Sequence, residues 1–381
     1  MTASSRGLSL DGVAQGREAS VAVASVGTVR RLAVVRLAVV ADDLTGAADA
    51  AAPFAAHGFG VAVALGPQLP DADVVALSTD NRGRPAAEAR ERTHRAAGRV
   101  RDAERLFVKI DSMLRGQVRA DVEGALAAWG AATAVASPAF PAQGRVVRDG
   151  ALLVHGEPTV PQVAALFPDG VEVVDAETHD ALLAVARRLR AGEIAIGSGG
   201  LSRALAEILP GAPWSLTADS RAPEQQYGSK VRSVLVVVGT PHPVTRAQIV
   251  ALDAVPVVSA GAAVDALRAG KRAVLTCEPD GPVEPESPAA LALAGGLATA
   301  AVAVLDAVPD TGLVLTGGAT ALAVADALGA TELRLHGEVE AGLPLGELIV
   351  GPRRVPVVTK SGGFGAPGAL AHAAEALEAC A

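Results

Sequence analysis

The chain has 381 residues, enough for two domains of ordinary size, and half of them are apolar although only 2% are aromatic. Its cores must therefore be built from Ala, Val and Leu, a composition that suits helices packed on parallel sheets. The net charge of −8 comes from 33 basic and 41 acidic residues without a long run of one sign, which excludes the basic footprint of a nucleic-acid-binding protein.

Residues 1–30 have no continuous hydrophobic stretch and carry scattered charges such as Arg6 and Asp11, so they do not resemble a signal peptide. We expect a disordered or over-long N-terminal extension. Two cysteines, Cys277 and Cys380, are too few for a disulfide framework or a metal site. The expected setting is the reducing cytoplasm, with no membrane partner.

Short apolar runs then alternate with longer amphipathic segments. In the first half, helical patterns such as Ala86–Arg99 and Ala181–Ala191 separate the predicted strands. These strands are Leu32–Val40, Val61–Leu65, Val74–Ser78, Leu106–Ile110, Ala132–Ala136 and Ile194–Gly197. This alternation predicts a parallel sheet with helices on both faces.

The alternation stops between Leu209 and Lys230, a polar stretch with three prolines that is the best linker candidate. It restarts with the strand Val231–Val238 and continues through Ala273–Cys277, Leu313–Thr316 and Val355–Thr359. The sequence thus predicts an α/β fold of two domains, 31–220 and 221–381, each with a mostly parallel sheet flanked by helices. Two further segments are predicted to be a surface loop, Glu278–Pro288, and a buried helix, Ala289–Leu305.

Polar motifs follow two strands of the first half. Asp42, Asp43 and Thr45 come directly after the first strand, where open α/β sheets place their ligands. Two charged carboxylates cost free energy unless something compensates them, so they are expected to hold a cation, accept a proton or bind hydroxyl groups. The run Lys109–Gly116 combines basic and acidic side chains that could clamp a carboxylate or phosphate, although an ordinary helix start is the alternative.

Two loops of the first half are ambiguous. Ser137–Arg145 contains Pro138 and Pro141 and is either a rigid turn or a substrate-holding loop. Gly197–Gly200 opens a helix and either presents backbone N–H groups to an anion or only lets the helix pack closely.

In the second half, three strands end in turns of glycine and hydroxyl residues: Gly239–Thr245, Thr316–Ala321 and Thr359–Gly365. Convergent turns of this kind suit the phosphates of a nucleotide. None has the spacing of a P-loop. The dinucleotide-like pattern at Gly363–Gly368 is rejected because the chain lacks the acid and the strand that should follow it. We expect His242 to serve at a helix start or in packing.

Together these runs resemble the four-carbon acid sugar kinase family, formerly a domain of unknown function. The matching segments recur in the family's order: Ala41–Gly46, Lys109–Gly116, Pro138–Arg145, Gly239–Thr245, Gly317–Ala321, Gly337–Gly346 and Thr359–Gly365. The resemblance implies an ATP- and Mg²⁺-dependent kinase that phosphorylates the terminal hydroxyl of threonate, erythronate or 3-oxo-tetronate. Its active site would lie in the cleft between an acid-sugar domain and a nucleotide domain. A homo-oligomer is left open.

The resemblance also assigns site residues. The catalytic candidates are Asp42, Asp43, Lys109 and Asp111. Asp42, Thr45, Ser112, Arg115 and Arg145 would bind the substrate. Thr240, Gly317, Gly318, Ala319, Thr320, Lys360, Ser361, Gly362 and Gly363 would bind the nucleotide. No metal ligand is assigned.

In the mechanism that we expect, Arg115 binds the substrate carboxylate and the aspartates bind its hydroxyls. Asp43 orients or deprotonates the attacking hydroxyl, although Asp42 and Asp111 remain alternatives as the base. Lys109 or Lys360 would neutralise charge on the transferred group.

The chain also departs from the family pattern. It has Met113 where the family usually has threonine, and Ala319 and Ala366 where acidic residues are common. These alanines motivate one alternative, a catalytically impaired ligand-binding or regulatory homologue. The stretch after Arg145 also lacks the threonine-rich run of many relatives, which leaves open a kinase for a different small hydroxy acid. An oxidoreductase is the least favoured reading.

Overall fold

The computed structural model describes residues 35–190, 192–210, 231–277, 283–284 and 287–379. The expected N-terminal extension, almost all of the expected linker and most of the expected surface loop Glu278–Pro288 lie outside these residues. The domain boundary near residue 220 therefore stays a prediction.

A fourteen-stranded sheet runs through the described part of the chain. Its strands in the first half are β1 (Leu37–Ala41), β2 (Val61–Ala64), β3 (Val74–Ser78), β4 (Leu106–Lys109), β5 (Ala134–Ser137), β9 (Val171–Val173) and β10 (Ile194–Gly197). Those in the second half are β11 (Ser233–Val238), β12 (Val255–Val257), β13 (Ala273–Thr276), β14 (Thr311–Thr316), β15 (Glu332–Glu338), β16 (Pro344–Val350) and β17 (Arg353–Lys360).

The strand order across the sheet is β12-β13-β11-β14-β17-β16-β15-β2-β3-β1-β4-β10-β5-β9. All neighbours are parallel except around β15 and β16, which form antiparallel pairs with each other, with β17 and with β2. The β15–β2 pair joins the second half of the chain to the first, so both parallel regions belong to one hydrogen-bonded sheet.

Ten α-helices occur in the described residues. They are α1 (Leu44–Ala51), α2 (Ala86–Arg99), α3 (Val118–Trp129), α4 (His179–Arg188), α5 (Gly199–Ile208), α6 (Pro243–Ala251), α7 (Ala260–Arg268), α8 (Pro288–Ala307), α9 (Gly318–Leu328) and α10 (Ala369–Glu378). Short 3₁₀ helices span Ala52–His57, Pro141–Gln143 and Val163–Leu166. The expected α/β fold with a mostly parallel sheet flanked by helices is confirmed.

All ten predicted strands are present, with ends shifted by a few residues. The structure adds strands that the sequence analysis missed. From Arg145 onward, β6 (Arg145–Arg148), β7 (Ala151–Val154) and β8 (Glu157–Val160) form a separate antiparallel sheet. β9, β12, β15 and β16 were also not predicted.

Helix α8 covers the predicted buried helix, but it is buried on one face only. Ala294, Leu297, Ala301 and Leu305 face the core, whereas Leu291 is exposed. Among the described helices, α8 alone is long and apolar enough to cross a membrane by length and composition, and a third of its most apolar window is buried. A core helix of a soluble protein passes the same test.

Candidate active site

The three candidate aspartates meet at the carboxyl ends of two neighbouring strands. β1 and β4 are parallel partners, with Ala41 opposite Lys109, so the residues that follow each strand emerge at the same edge of the sheet. Asp42 and Asp43 follow β1, and Asp111 follows β4. All three are buried, with at most 9% of each residue exposed. The structure thus brings together carboxylates that lie almost 70 positions apart in the sequence.

Arg82 lies between these aspartates and was missed by the sequence analysis. It donates from Nε to Oδ2 of Asp42 at 2.9 Å and from Nη2 to Oδ1 at 3.0 Å. Its Nη1 lies 2.6 Å from Oδ2 of Asp43, and its Nη2 lies 3.7 Å from Oδ1 of Asp111. Although burial opposes its charge, the three carboxylates raise the pKa of Arg82 well above its ordinary value.

The loop after β3 carries Arg82, and buried bonds hold this loop in place. The Asn81 N–H donates to the carbonyl of Asp42 at 2.9 Å. The Asn81 side chain donates to Thr93 and Asp121 on α2 and α3, at 2.8 and 2.7 Å. One signal could have revealed Arg82: β3 pairs in parallel with β1, so the residues after β3 must also reach this edge.

The surroundings of the two outer aspartates differ. Burial raises the pKa of Asp42, against the charge of Arg82. At Asp111, burial is outweighed by hydrogen bonds from Arg115 and by the charges of Arg82 and Arg115, so its pKa is lowered. Arg115 binds Asp111 in a bidentate pair at 2.8 Å for both contacts, and its side chain is half exposed. The guanidinium of Arg115 therefore stands at the open side of the site.

Asp43 caps α1, since its Oδ1 accepts from the Gly46 N–H. The Thr45 hydroxyl donates to the same oxygen at 3.3 Å. The Lys109 ammonium donates to the carbonyl of Ile110 at 3.0 Å and packs against Gly46, where an added Cβ would lie 3.3 Å from Nζ. The glycine thus lets the lysine approach the start of the helix.

The loop Pro138–Arg145 contacts residues from both halves of the chain. The Gln143 side chain donates to the carbonyl of Ala341 at 3.2 Å, and the rings of Phe140 and Phe364 meet edge to face at 5.9 Å. Arg145 lies over the Phe364 ring at 4.9 Å and donates to the Ser112 hydroxyl. By contrast, Gly197–Gly200 is a packing turn, because an added Cβ at Gly197 or Gly199 would lie within 2.7 Å of neighbouring atoms.

The three glycine turns of the second half converge as expected. An added Cβ on Gly362 would lie 2.5 Å from the Thr240 hydroxyl oxygen, and one on Gly317 would lie 3.6 Å from Thr240 Cβ. Gly317 has φ 95°, a conformation suited to glycine, and its N–H donates to the carbonyl of Lys360 at 2.9 Å. Thr320, in the first turn of α9, is buried beside these turns.

Lys360 lies beneath the third turn and not at its surface. Its buried ammonium donates to the hydroxyl of Thr245 at 3.1 Å and to the carbonyls of Ser361 and Phe364 at 3.0 Å each. Burial lowers the pKa of Lys360 to about 8. These three bonds use all of its donors, so the geometry favours holding the turn over neutralising a transferred group.

His242 and Ala319 occupy the edges of the nucleotide side. The Nδ1 atom of His242 accepts from the Val244 N–H at 3.2 Å and caps α6, which confirms the expected role at a helix start. An added Cβ on Gly363 would lie 3.2 Å from its Nε2. Ala319 is the second residue of α9 and follows Gly318 directly.

The clustered aspartates of the first half and the glycine turns of the second half meet at one point. Gly318, the first residue of α9, packs against Asp43: an added Cβ there would lie 3.0 Å from Asp43 Oδ2 and 3.2 Å from its Cγ. The N-terminus of a helix attracts anions through its free N–H groups and its dipole. The N-terminus of α9 therefore borders Asp43, one of the three clustered aspartates.

Comparisons with known proteins find two protein families that match separate parts of the chain. Residues 37–168 match the family described as a sugar-binding N-terminal domain, and residues 235–370 match a nucleotide-binding C-terminal domain. A D-threonate kinase of Bordetella bronchiseptica is 31% identical over 90% of this chain and 97% of that protein. The chain belongs to the four-carbon acid sugar kinase family. The predicted family is confirmed, and with it the phosphotransferase class with an alcohol group as acceptor.

A second relative agrees with this assignment, and one solved structure shares the fold. A D-threonate kinase of Cupriavidus necator is 32% identical over 89% of this chain and 97% of that protein. A solved Salmonella typhimurium structure, described as a putative tRNA synthase, has a TM-score of 0.63 and covers 89% of this chain and 98% of that one. At 20% identity the solved structure supports the fold alone.

Proposed function

We propose that the protein transfers the γ-phosphoryl group of ATP to the terminal hydroxyl of a four-carbon acid sugar, with D-threonate as the first candidate. The observation that carries this proposal is the contact between Asp43 and Gly318. It puts a carboxylate able to accept a proton beside a helix N-terminus able to hold phosphate. Both full-length relatives described above are D-threonate kinases.

On the acceptor side, Asp43 is the favoured base. The Asp42 carboxylate is engaged twice by Arg82, and the Asp111 carboxylate is engaged twice by Arg115. Asp43 is also held, by Arg82 at Oδ2 and by the Gly46 N–H at Oδ1, so the choice of Asp43 rests on its contact with Gly318. Asp43 meets the attacking hydroxyl where it faces Gly318, and Arg82 balances the charge of the cluster.

Arg115 and Arg145 are the candidates for the substrate carboxylate. Arg115 is half exposed beside Asp111, and Arg145 reaches the same region through Ser112. An arginine fork matches the two oxygens of a carboxylate. Lys109, buried under Gly46, adds positive charge close to Asp42 and Asp43.

On the donor side, the N-terminus of α9 at Gly318 and the turns at Thr240 and Gly362 would bind the phosphates. The described residues contain no group of three or more His, Cys, Asp or Glu side chains able to hold a metal. This agrees with a Mg²⁺ that the phosphates themselves carry, as Mg²⁺ commonly is, with few protein ligands. When bound, the metal would neutralise phosphate charge. We also propose that the protein is cytoplasmic and that it associates with copies of itself.

Turnover of ATP with Mg²⁺ should be measured against D- and L-threonate, D- and L-erythronate and 3-oxo-tetronates. Strong turnover of one acid would support the proposal. No turnover with detectable ATP binding would indicate a different hydroxy acid. No turnover without ATP binding would support the non-catalytic alternative suggested by Ala319.

The role of Asp43 is tested by Asp43→Asn. Loss of the base should lower kcat by about 10² to 10⁴ while ATP affinity changes little. Asp310→Asn, at an exposed surface pair with Arg232, is the matched control and should behave as wild type. Near-normal kcat in Asp43→Asn would contradict the assignment.

A further inference from the structure

Asp49 is a buried carboxylate for which the proposed chemistry gives no role. It lies on α1, six residues after Asp43, with 3% of the residue exposed. Neither of its oxygens has a hydrogen-bond partner in the described part of the chain. An unpaired buried carboxylate is costly, and such groups in a folded protein call for an explanation.

Charged groups from several elements face Asp49. They are Lys109 at the end of β4, Arg203 on α5, Glu338 at the end of β15 and Asp43 at the start of α1. Burial raises the pKa of Asp49 to about 6, chiefly against the charge of Lys109. When charged, its carboxylate can only accept hydrogen bonds.

The start of α5 closes one side of this carboxylate. An added Cβ on Gly199 would lie 2.5 Å from Asp49 Oδ2 and 2.7 Å from Cε1 of Phe140. Glycine is therefore required where the helix meets the acid.

Two buried donors near Asp49 are also without partners. The Nε atoms of Arg145 and Arg203 have no hydrogen-bond partner in the described residues. Arg145 interacts electrostatically with both Asp49 and Asp111, so it connects the two regions. Arg203 is bound to Glu338 through its other nitrogens, at 2.8 and 3.0 Å. Unpaired acceptors beside unpaired donors suit a ligand that offers both a hydroxyl and a carboxylate.

We propose that Asp49 accepts a hydrogen bond from the hydroxyl next to the substrate carboxylate and so selects 2-hydroxy acids. This inference rests on the proposed function, in which Arg145 helps to hold the carboxylate and Asp43 meets the terminal hydroxyl. Lys109 interacts with Asp49 and lies beside Gly46 next to Asp43, so the two carboxylates flank one side chain.

The expected selectivity is large. A site built to bind a hydroxyl rejects an analogue without it, because its buried polar groups are then left unpaired. The matched pair of acids is D-threonate and 3,4-dihydroxybutanoate, which has the same carboxylate and terminal hydroxyl but no 2-hydroxyl. We expect the wild-type kcat/KM to favour D-threonate by more than about 100-fold.

The test compares this ratio between variants. Asp49→Ala removes both acceptors and should bring the ratio close to one, whereas Asp49→Asn keeps one acceptor and should give an intermediate ratio. Asp73→Asn is the control, because Asp73 is another buried carboxylate but already accepts from the Gly60 N–H at 2.8 Å, outside the candidate site. It should keep the wild-type ratio.

A wild-type ratio in folded Asp49→Ala would overturn the inference. If Asp49→Ala does not fold, an unchanged ratio in Asp49→Asn overturns it instead. Should the wild type phosphorylate neither acid, the proposed function fails, and calorimetric titration of the same two acids decides the inference separately. Tighter binding of D-threonate than of 3,4-dihydroxybutanoate by the wild type, lost in Asp49→Asn, would support the inference. Equal binding of the two acids by the wild type, or no binding of either, would overturn it.

Discussion

Arg82 is the residue on which the acidic cluster depends. Three carboxylates, Asp42, Asp43 and Asp111, share its guanidinium at the end of the sheet. Without the arginine, three buried carboxylates so close together would repel each other, and each would raise the pKa values of the other two. The arginine lets the site keep several negative groups close together while one of them, Asp43, faces the donor side.

Replacing Arg82 should therefore damage both stability and activity. Arg82→Met leaves buried carboxylates unpaired, and we expect a loss of about 3 kcal/mol in the free energy of unfolding. Arg84→Met is the matched control, since Arg84 forms exposed pairs with Asp80 and Glu88 and should cost less than about 1 kcal/mol. Urea unfolding measures both. Equal losses in the two variants would contradict the central position of Arg82.

Asp49 predicts a pH dependence of stability. Its pKa is raised to about 6 in the folded state, above the unfolded value of 3.8. The folded state therefore binds the proton more tightly, and this stabilisation is present below pH 3.8 and lost as pH rises through 6. Asp49→Asn should match the wild type near pH 4 and exceed its stability at pH 8 by up to about 3 kcal/mol.

Unfolding at both pH values checks this expectation. A variant that is less stable than the wild type at pH 8 would show that the carboxylate stabilises the fold. A gain in stability together with lost substrate selectivity would identify Asp49 as a residue retained for binding.

At the level of residues, the sequence predicted those in motifs and missed those in ordinary loops. Asp42 and Lys109 stood out because they follow buried strands. Arg82 did not, since arginine is the chain's usual cation and the single Gly83 does not mark the segment after β3 as a ligand-binding turn. Asp49 was hidden among the alanines of α1, where only burial reveals it.

At the level of elements, the glycine turns bring the helix ends to the site. Gly318 begins α9 against Asp43, and the turns at Gly317 and Gly362 both border Thr240. At these positions the main chain can come close to Asp43 and Thr240 because glycine has no Cβ. The turns are therefore best understood as close-approach positions between the acceptor and donor sides.

Gly318→Ala tests this close approach. Its Cβ would press on the Asp43 carboxylate, and we expect kcat to fall at least 10-fold as the acid is displaced. The control is Gly295→Ala in α8, where an added Cβ meets nothing within 4 Å and should stabilise the protein by about 0.5 to 1 kcal/mol. Steady-state kinetics and thermal unfolding measure the pair. Unchanged kcat in Gly318→Ala would show that Asp43 tolerates displacement.

The parallel strands were predictable because each is a short, fully apolar run. β15 was harder, since Leu333 and Leu335 alternate with polar residues and a β-bulge follows at Gly337. The alternation is the ordinary signature of a half-buried antiparallel strand, but the sequence analysis assigned no strand there. Which strand β15 pairs with could not be read from its sequence, because pairing over more than 260 residues leaves no local pattern.

At the level of the whole molecule, the β15–β2 pair makes the two halves share one sheet. Leu333 and Leu335 of β15 belong to the same hydrophobic core as Val61 and Val63 of β2. The halves are thus connected by main-chain hydrogen bonds and by apolar packing together. We expect the described part of the chain to unfold as one cooperative unit.

Leu333→Ala tests this cooperativity. The buried leucine contributes to the shared core, so its truncation should lower the free energy of unfolding by about 3 kcal/mol and shift a single thermal transition downwards. Differential scanning calorimetry would show it. Two separate transitions, with only one of them shifted, would mean that the halves unfold independently.

The shared sheet also limits how these halves can be recombined. A fragment ending before β15 would leave β2 as a bare strand edge, with unpaired N–H and C=O groups open to other copies. Chimeric enzymes that combine the acceptor half of one relative with the donor half of another must therefore match β2 to a foreign β15. Compatibility along this four-residue ladder, from Val61 to Ala64, would decide which recombinants stay monodisperse.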